Sequence, residues 1–337
     1  MKKPLAWIVN SSSFGRVFPE HLQKLKSFCE VRRIDGVSSW TGSRVGKKCR
    51  GASIVIASVS PNYDDNFFRE IPGLKLLARH GIGFNNVDLE SATRHGVVVT
   101  RVRGEVEREG MAESAVMLAL AIARRTLNAD KAVRAGKWGD RTKFVGLEFK
   151  GRTVGVIGCG NIGSRVVQIY SRGFGARVLA TDPNVSGAKI RASGALKVPL
   201  AKLLAESDVV TLHASLNPTS RGIIGRKALA MMRPGALLVN NARGELMDEG
   251  AVVQALRSGR LAGLAVDVVA KEPAGRNHPF LKCPNTVVVP HIGAYTVESL
   301  RAMGEKMVED VAAVLGGKKP REVVNPRVFT LRRRRES

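Results

Sequence analysis

A chain of 337 residues is longer than one hydrophobic core usually serves, so two domains are the expectation. Apolar residues make up 44%, as in a soluble globular protein, and no apolar run approaches the ~18 residues of a membrane-spanning helix. The net charge of +25 is spread along the chain, but aromatics are only 5% and none interleave with the basic residues, so neither nucleic acid nor membrane is expected as a partner.

The opening residues carry two lysines, but their apolar run stops at Val9, short of a secretion signal, and residues 5–9 read as a first strand. Phe18, Leu22, Leu25 and Phe28 stand at helical spacing. Strands are expected at 31–34, 53–57, 74–78 and 97–100, with a short helix over 87–95 and a loop at 58–63. This alternation implies a parallel sheet. Residues 109–135 form the longest helical pattern, with no proline and no glycine after Gly110, and Gly136 as a stop.

Residues 153–163 follow with the sharpest local signal. Val154, Val156 and Ile157 read as a buried strand, and Gly158, Gly160 and Gly163 then stand at G-x-G-x-x-G spacing before a helical stretch. Gly158 permits a tight turn, Gly160 lets a pyrophosphate approach the backbone, and Gly163 lets helix and strand pack closely. The next strand, 176–181, ends at Asp182, 19 residues past Gly163, where a carboxylate would accept from both ribose hydroxyls. Further strands are expected at 208–213, 236–240, 263–268 and 286–289, with helices at 226–232, 248–257 and 297–315. The basic run Arg332–Arg335 reads as a disordered tail. Cys29, Cys49, Cys159 and Cys283 form no C-x-x-C pair, so no metal site is expected and a reducing cytoplasm fits.

Ligands of an open parallel sheet collect beyond the carboxyl ends of its strands. Beyond 236–240 comes Arg243, beyond 263–268 comes Glu272, and beyond 286–289 comes His291. A nicotinamide moves hydride but needs a partner that moves a proton, and histidine titrates in the right range. A carboxylate on its other nitrogen favours the imidazolium, and a guanidinium can grip a substrate carboxylate and polarise the adjacent carbonyl.

With these residues in place the chain resembles the D-isomer-specific 2-hydroxyacid dehydrogenase family over roughly residues 50–325. The matching motifs are His80-Gly-Ile-Gly-Phe-Asn-Asn-Val-Asp88, Ala112-Glu113, Phe149 to Gly158, Thr211-Leu-His-Ala214, Asn240 to Gly244, Asp267 to Pro273 and Pro290-His-Ile-Gly293. The resemblance implies two Rossmann-like doubly wound α/β domains: a discontinuous substrate domain from 1–103 and 298–337, and an NAD-binding domain from 104–297. It implies Arg243 as substrate-orienting cation, Glu272 as partner of the histidine and His291 as acid/base. It places Ser58 and the backbone of Ile82 and Gly83 on the substrate. Asn161, Ile162, His213, Ala242 and Asp267 fall on the cofactor, beside the three glycines and Asp182. His213 is read there as contributing mainly through its backbone. The resemblance also implies a homodimer through the NAD-binding domains, with Trp138 and residues 140–144 reaching toward the neighbouring subunit.

Asp182 would repel a 2′-phosphate, and Thr181 and Pro183 beside it carry no cation, so NAD is expected over NADP. Phosphoglycerate dehydrogenases of the family commonly place an arginine in the loop after strand 53–57, where this chain has Ala57-Ser-Val-Ser60. They often append a regulatory domain, which is not seen here. A short 2-oxo acid is therefore expected: glyoxylate, hydroxypyruvate or pyruvate. Two alternatives stand beside it: a phosphoglycerate dehydrogenase without that domain, and an NAD-sensing corepressor-like binding protein using the basic surface.

Overall fold

The computed structural model describes the backbone of residues 2–336 and the side chains of residues 2–331. The chain forms two compact units, one from Met1–Glu107 with Tyr295–Ser337, the other from Arg108–Ala294.

The first unit alternates β1 (Leu5–Val9), α1 (Pro19–Phe28), β2 (Glu30–Ile34), α2 (Gly42–Lys48), β3 (Ile54–Ala57), α3 (Asp65–Arg69), β4 (Leu76–Arg79), α4 (Leu89–Arg94) and β5 (Val98–Thr100). All strands pair in parallel in the order β2-β1-β3-β4-β5. The order reverses between β1 and β3, so the loops after these strands flank the crevice where such sheets bind ligands. Both β3 and β4 are buried along their whole length, which is why they read as continuous apolar runs rather than alternating ones.

The chain leaves this unit within α5 (Gly104–Ala123), and the second unit continues with α6 (Thr126–Arg134), β6 (Thr153–Ile157), α7 (Asn161–Gln168), β7 (Arg177–Thr181), α8 (Gly187–Ser193), β8 (Leu196–Lys197), α9 (Leu200–Glu206), β9 (Val209–Leu212), α10 (Arg226–Met231), β10 (Ala236–Asn240), α11 (Glu249–Arg257), β11 (Leu261–Val266) and β12 (Thr286–Val288). This parallel sheet runs β12-β11-β10-β9-β6-β7-β8, with its reversal between β6 and β9. One face packs against α5 and α7 through Ala115, Leu118 and Val166, the other against α9, α10 and α11 through Leu203, Leu229 and Val252. Gly155 in β6 makes the second contact close: a Cβ there would stand 2.4 Å from Leu203 Cδ2. The chain then returns to the first unit as α12 (Val297–Leu315) and α13 (Arg327–Glu336). Met303, Met307 and Val311 of α12 complete that unit's core beside Leu25 of α1.

Several expectations need correction. The helical stretch 109–135 is two helices, broken where Arg125 takes a left-handed φ of 52°. An arginine carries no sequence signal for that conformation. The run Arg332–Arg335 is not irregular: α13 continues through it, and its side chains lie outside the described residues. The helices α2, α3, α8 and α9 and the strand β8 were not anticipated. Each helix is two turns or less, too short for a periodic pattern to emerge. Three of them are fixed by side-chain caps from Thr41, Asp64 and Ser186.

Candidate active site

The fingerprint lies between β6 and α7, at the reversal of the second sheet. Gly158 has φ +90°, and a Cβ on it would stand 2.5 Å from the Ala214 amide nitrogen. A Cβ on Gly163 would stand 2.0 Å from the Gly158 carbonyl oxygen, so helix and turn touch backbone to backbone. Gly160 differs: nothing comes within 4 Å of where its Cβ would be. That open cradle sits at the N-terminus of α7, where Asn161 is exposed and Ile162 half-buried. It fits a pyrophosphate, with helix amides and the helix dipole to hold it.

Beyond β7, Asp182 is held from both sides. Its Oδ2 accepts from the Cys159 amide at 2.8 Å and its Oδ1 from the Asn184 amide at 2.8 Å. Each oxygen keeps a second lone pair for a ribose hydroxyl. A cavity of about 370 Å³ opens here, lined by Thr181, Asp182, Pro183, Lys197, Val198 and Pro199, a size and place that suit the adenosine end of a dinucleotide. Lys197 is a cation that inspection of Asp182's sequence neighbours missed; β8 brings it in, with its Nζ donating to the Val185 carbonyl at 2.6 Å. His213 keeps some surface, yet the protein atoms crowding its imidazole push its pKa down to about 3. Its Nε2 lies 2.9 Å from Thr211 Oγ1, so it is a neutral ring bonded to its own strand.

Arg243, Glu272 and His291 follow β10, β11 and β12, three adjacent parallel strands, and so stand at the same edge of the sheet. Asn240, fully buried, shapes the first turn: its Oδ1 accepts from the Ala242 amide at 3.0 Å and its Nδ2 donates to the Arg243 carbonyl at 2.8 Å. Asn241 Nδ2 ties the same turn to the Met111 carbonyl at 2.9 Å. Arg243 Nη1 donates to the Ala242 carbonyl at 2.6 Å. No bond joins Arg243 to the other two among the described residues.

Glu272 and His291 do meet: Oε2 lies 2.8 Å from Nδ1. That contact fixes Nδ1 as the nitrogen facing the carboxylate and leaves Nε2 for chemistry. The turn that presents His291 is set by Asp267, only 1% exposed. Asp267 Oδ1 accepts from the Ile292 amide at 2.6 Å, Oδ2 from the Gly293 amide at 2.8 Å, and its carbonyl from the His291 amide at 2.9 Å. Burial pushes this carboxyl's pKa up, while the two amides oppose the shift. The structure therefore places Asp267 as the anchor of the histidine loop, a role the sequence did not reveal.

In the first unit, Ser58 follows β3, and Ile82 and Gly83 follow β4. Asn86 Nδ2 donates to the Ser58 and Pro61 carbonyls at 3.0 and 2.9 Å. Among the described residues the amides of Ile82 and Gly83 have no partner, so they remain free to receive an anion.

Comparison with known proteins agrees with this architecture. The family "D-isomer specific 2-hydroxyacid dehydrogenase, NAD binding domain" matches residues 116–293. A glyoxylate reductase of Aeropyrum pernix is 35% identical over 338 residues, covering 98% of this chain and 99% of its own length. A D-3-phosphoglycerate dehydrogenase of Archaeoglobus fulgidus is 37% identical over 273 residues, but the match spans 81% of this chain and only 51% of that protein. Among solved structures, a Thermus thermophilus protein superposes with a TM-score of 0.85 at 33% identity, over 95% of this chain and 99% of its own. The chain belongs to the D-isomer-specific 2-hydroxyacid dehydrogenase family, as an oxidoreductase that uses an NAD-type cofactor on 2-oxo and D-2-hydroxy acids.

Proposed function

We propose that the protein reduces a short, unphosphorylated 2-oxo acid, such as glyoxylate, hydroxypyruvate or pyruvate, to its 2-hydroxy acid of D configuration where a stereocentre forms, with NADH and with His291 as the acid. The 2.8 Å contact between His291 Nδ1 and Glu272 Oε2 carries this reading. When bound, the reduced nicotinamide supplies a hydride to the carbonyl carbon. His291 Nε2 gives a proton to the carbonyl oxygen, and Glu272 stabilises the imidazolium before the transfer. Arg243 grips the substrate carboxylate and polarises the carbonyl. In the first unit, the free amides of Ile82 and Gly83 are suited to an anion such as a substrate carboxylate, and Ser58 follows the neighbouring strand. Gly158, Gly160 and Gly163 seat the cofactor with Asn161 and Ile162, Ala242 backs it, and Asp182 selects NAD by its charge.

The loop after β3 has no cation, which supports a small, unphosphorylated substrate. A phosphoglycerate dehydrogenase activity is the second reading, supported by the Archaeoglobus relative. The same proposal includes a homodimer through the second unit, because Met117, Leu127, Val133, Trp138 and Val145 expose large apolar side chains within 29 residues of chain. It also includes a cytoplasmic location, in keeping with four free cysteines, and no nucleic-acid partner.

The test is a spectrophotometric screen of NADH oxidation over glyoxylate, hydroxypyruvate, pyruvate, phenylpyruvate and phosphohydroxypyruvate. The hydroxypyruvate and pyruvate products are resolved by chiral chromatography. The highest kcat/KM is expected among the first three, with D product. A maximum at phosphohydroxypyruvate would transfer the assignment to the second reading, and L product would overturn the mechanism.

A further inference from the structure

The loop that carries Glu272 has little to hold it. Of residues 270–278 only Glu272 and His278 are even partly buried, and the rest are exposed. Yet Glu272 must stay within bonding distance of His291, and displacements of about 1 Å at such a site can cost ~100-fold in rate. Something outside the loop has to fix it.

We propose that Glu249 is the positioning residue for this loop, and that its carboxylate clips both of the loop's ends. Glu249 is the first residue of α11, directly after the Asp248 cap. Its Oε1 accepts from the Ala270 amide at 2.8 Å, at the start of the loop. Its Oε2 stands 3.4 Å from His278 Nε2, at the end of the loop. The other nitrogen of that ring, Nδ1, accepts from the Phe280 amide at 3.4 Å, so the imidazole is held between Glu249 and the short helical turn just after it. One side chain therefore ties together two points eight residues apart, with Glu272 between them. A carboxylate is well suited to this place, because the free amides of a helix N-terminus favour its charge.

The loop's root is also clamped from the other side. A Cβ on Gly244 would stand 2.0 Å from the Val269 carbonyl carbon and 2.2 Å from the Ala270 nitrogen. The backbone beside Arg243 thus lies directly on the backbone that Glu249 holds. The clip sets Glu272 against the same surface that sets Arg243, so the partner of the acid and the substrate-orienting cation share one register. Glu249 itself bonds to neither His291 nor Glu272, and acts through the loop.

This inference rests on the reading of Glu272 as the partner of His291, and the test separates the two. Glu249→Ala, Glu249→Gln, Glu272→Ala and the double variant Glu249→Ala/Glu272→Ala are compared by single-turnover NADH oxidation with the preferred 2-oxo acid. NADH affinity comes from fluorescence titration, and the fold from melting temperature. Glu249→Ala is expected to lower the single-turnover rate roughly tenfold to a hundredfold with NADH affinity unchanged. Glu249→Gln, which keeps an oxygen for the Ala270 amide, is expected to recover most of that loss. In the Glu272→Ala background, Glu249→Ala is expected to add little, because the group it positions is gone. A full, multiplicative loss in the double variant overturns the proposal, as does an unchanged rate in Glu249→Ala. Wild-type rates in Glu272→Ala overturn the reading of Glu272 itself, and this one with it. Should Glu249→Ala fail to fold, His278→Ala, which cuts the far tie and leaves the Ala270 tie in place, is held to the same cycle and the same outcomes.

Discussion

Nδ1 of His291 lies 2.8 Å from Oε2 of Glu272, and His291 makes that contact from a left-handed backbone with φ of 57°. A non-glycine residue in that region costs roughly 1–2 kcal/mol, so the turn is held by its surroundings. The Asp267 carboxylate supplies the hold by accepting from the two amides next along the chain after the histidine. His291→Ala is expected to abolish turnover, a loss of at least ~1,000-fold, with NADH affinity preserved. Glu272→Ala is expected to lower kcat by roughly tenfold to a hundredfold, since the acid remains and only its support is lost. Steady-state kinetics with parallel NADH fluorescence titrations check both, and near-normal turnover in His291→Ala would remove it from the mechanism.

The three fingerprint glycines do different work, and substitution should separate them. Gly163→Ala drives a methyl into the Gly158 carbonyl, 2.0 Å away, and neither partner is a flexible side chain that can give. Both the melting temperature and NADH binding are expected to fall. Gly160→Ala meets nothing within 4 Å. The melting temperature without cofactor is expected to stay near that of the parent while NADH affinity drops at least tenfold, about 1.4 kcal/mol. Equal losses of stability in the two variants would contradict this.

Two opposed charges, Asp182 and Lys197, line one cavity. Asp182 is fastened by two amides and cannot swing away from a 2′-phosphate. Lys197 is tied to the Val185 carbonyl but belongs to the same wall. NADH is expected to exceed NADPH by about 100-fold in kcat/KM, ~2.7 kcal/mol of discrimination. Lys197→Ala is expected to widen the ratio and Asp182→Ser to narrow it. A preference for NADPH in the parent enzyme would refute the role given to Asp182.

Much of this was readable in the chain because the signals are local. A buried parallel strand is a short run of mostly apolar residues, and residues 153–157 and 236–240 stand out for that reason. The three reactive side chains could be collected from the residues just beyond each strand, since parallel order puts all those ends on one edge. The features that escaped depend on distance along the chain. Lys197 reaches the Asp182 cavity through a two-residue strand that has no pattern of its own. The family resemblance puts Asp267 on the cofactor, and only the fold reveals that its oxygens hold amides 25 and 26 residues away. The break at Arg125 escaped because neither glycine nor proline marks it.

An apolar side chain left in water in the second unit argues for association. Trp138 is 66% exposed and Val145 75%, close in sequence to Leu127 and Val133, and α6 buries no residue at all. A homodimer using this surface would remove these groups from water at about 25 cal/mol per Å² of apolar area. Sedimentation equilibrium is expected to return twice the 36.3 kDa of the chain. Leu127→Glu combined with Trp138→Ala is expected to shift the protein toward monomer at micromolar concentration. A parent protein that is monomeric throughout would exclude the dimer.

His80, next to the free amides of Ile82 and Gly83, gives the protein a defined weakness to acid. It is buried beside Ser11, with its Nδ1 3.4 Å from the hydroxyl, and its Nε2 has no partner among the described residues. Burial first, and then the positive charges of Arg79, His21 and Arg33, push its pKa down to about 3. An unfolded chain returns the ring to its ordinary value near ~6.5. Above that value the ring is neutral in both states and contributes no pH dependence. As the pH falls below it, the unfolded chain takes up a proton that the folded protein refuses, so stability is lost at up to about 1.4 kcal/mol per pH unit until about pH 3. Urea midpoints at pH 7 and pH 5 read this directly. His80→Gln does not titrate, so its loss of stability between the two pH values is expected to be smaller than the parent's by about 2 kcal/mol, whatever the substitution does to stability at neutral pH. Two parallel curves would mean that His80 takes up a proton in the folded state, and the acid sensitivity would then belong to other groups.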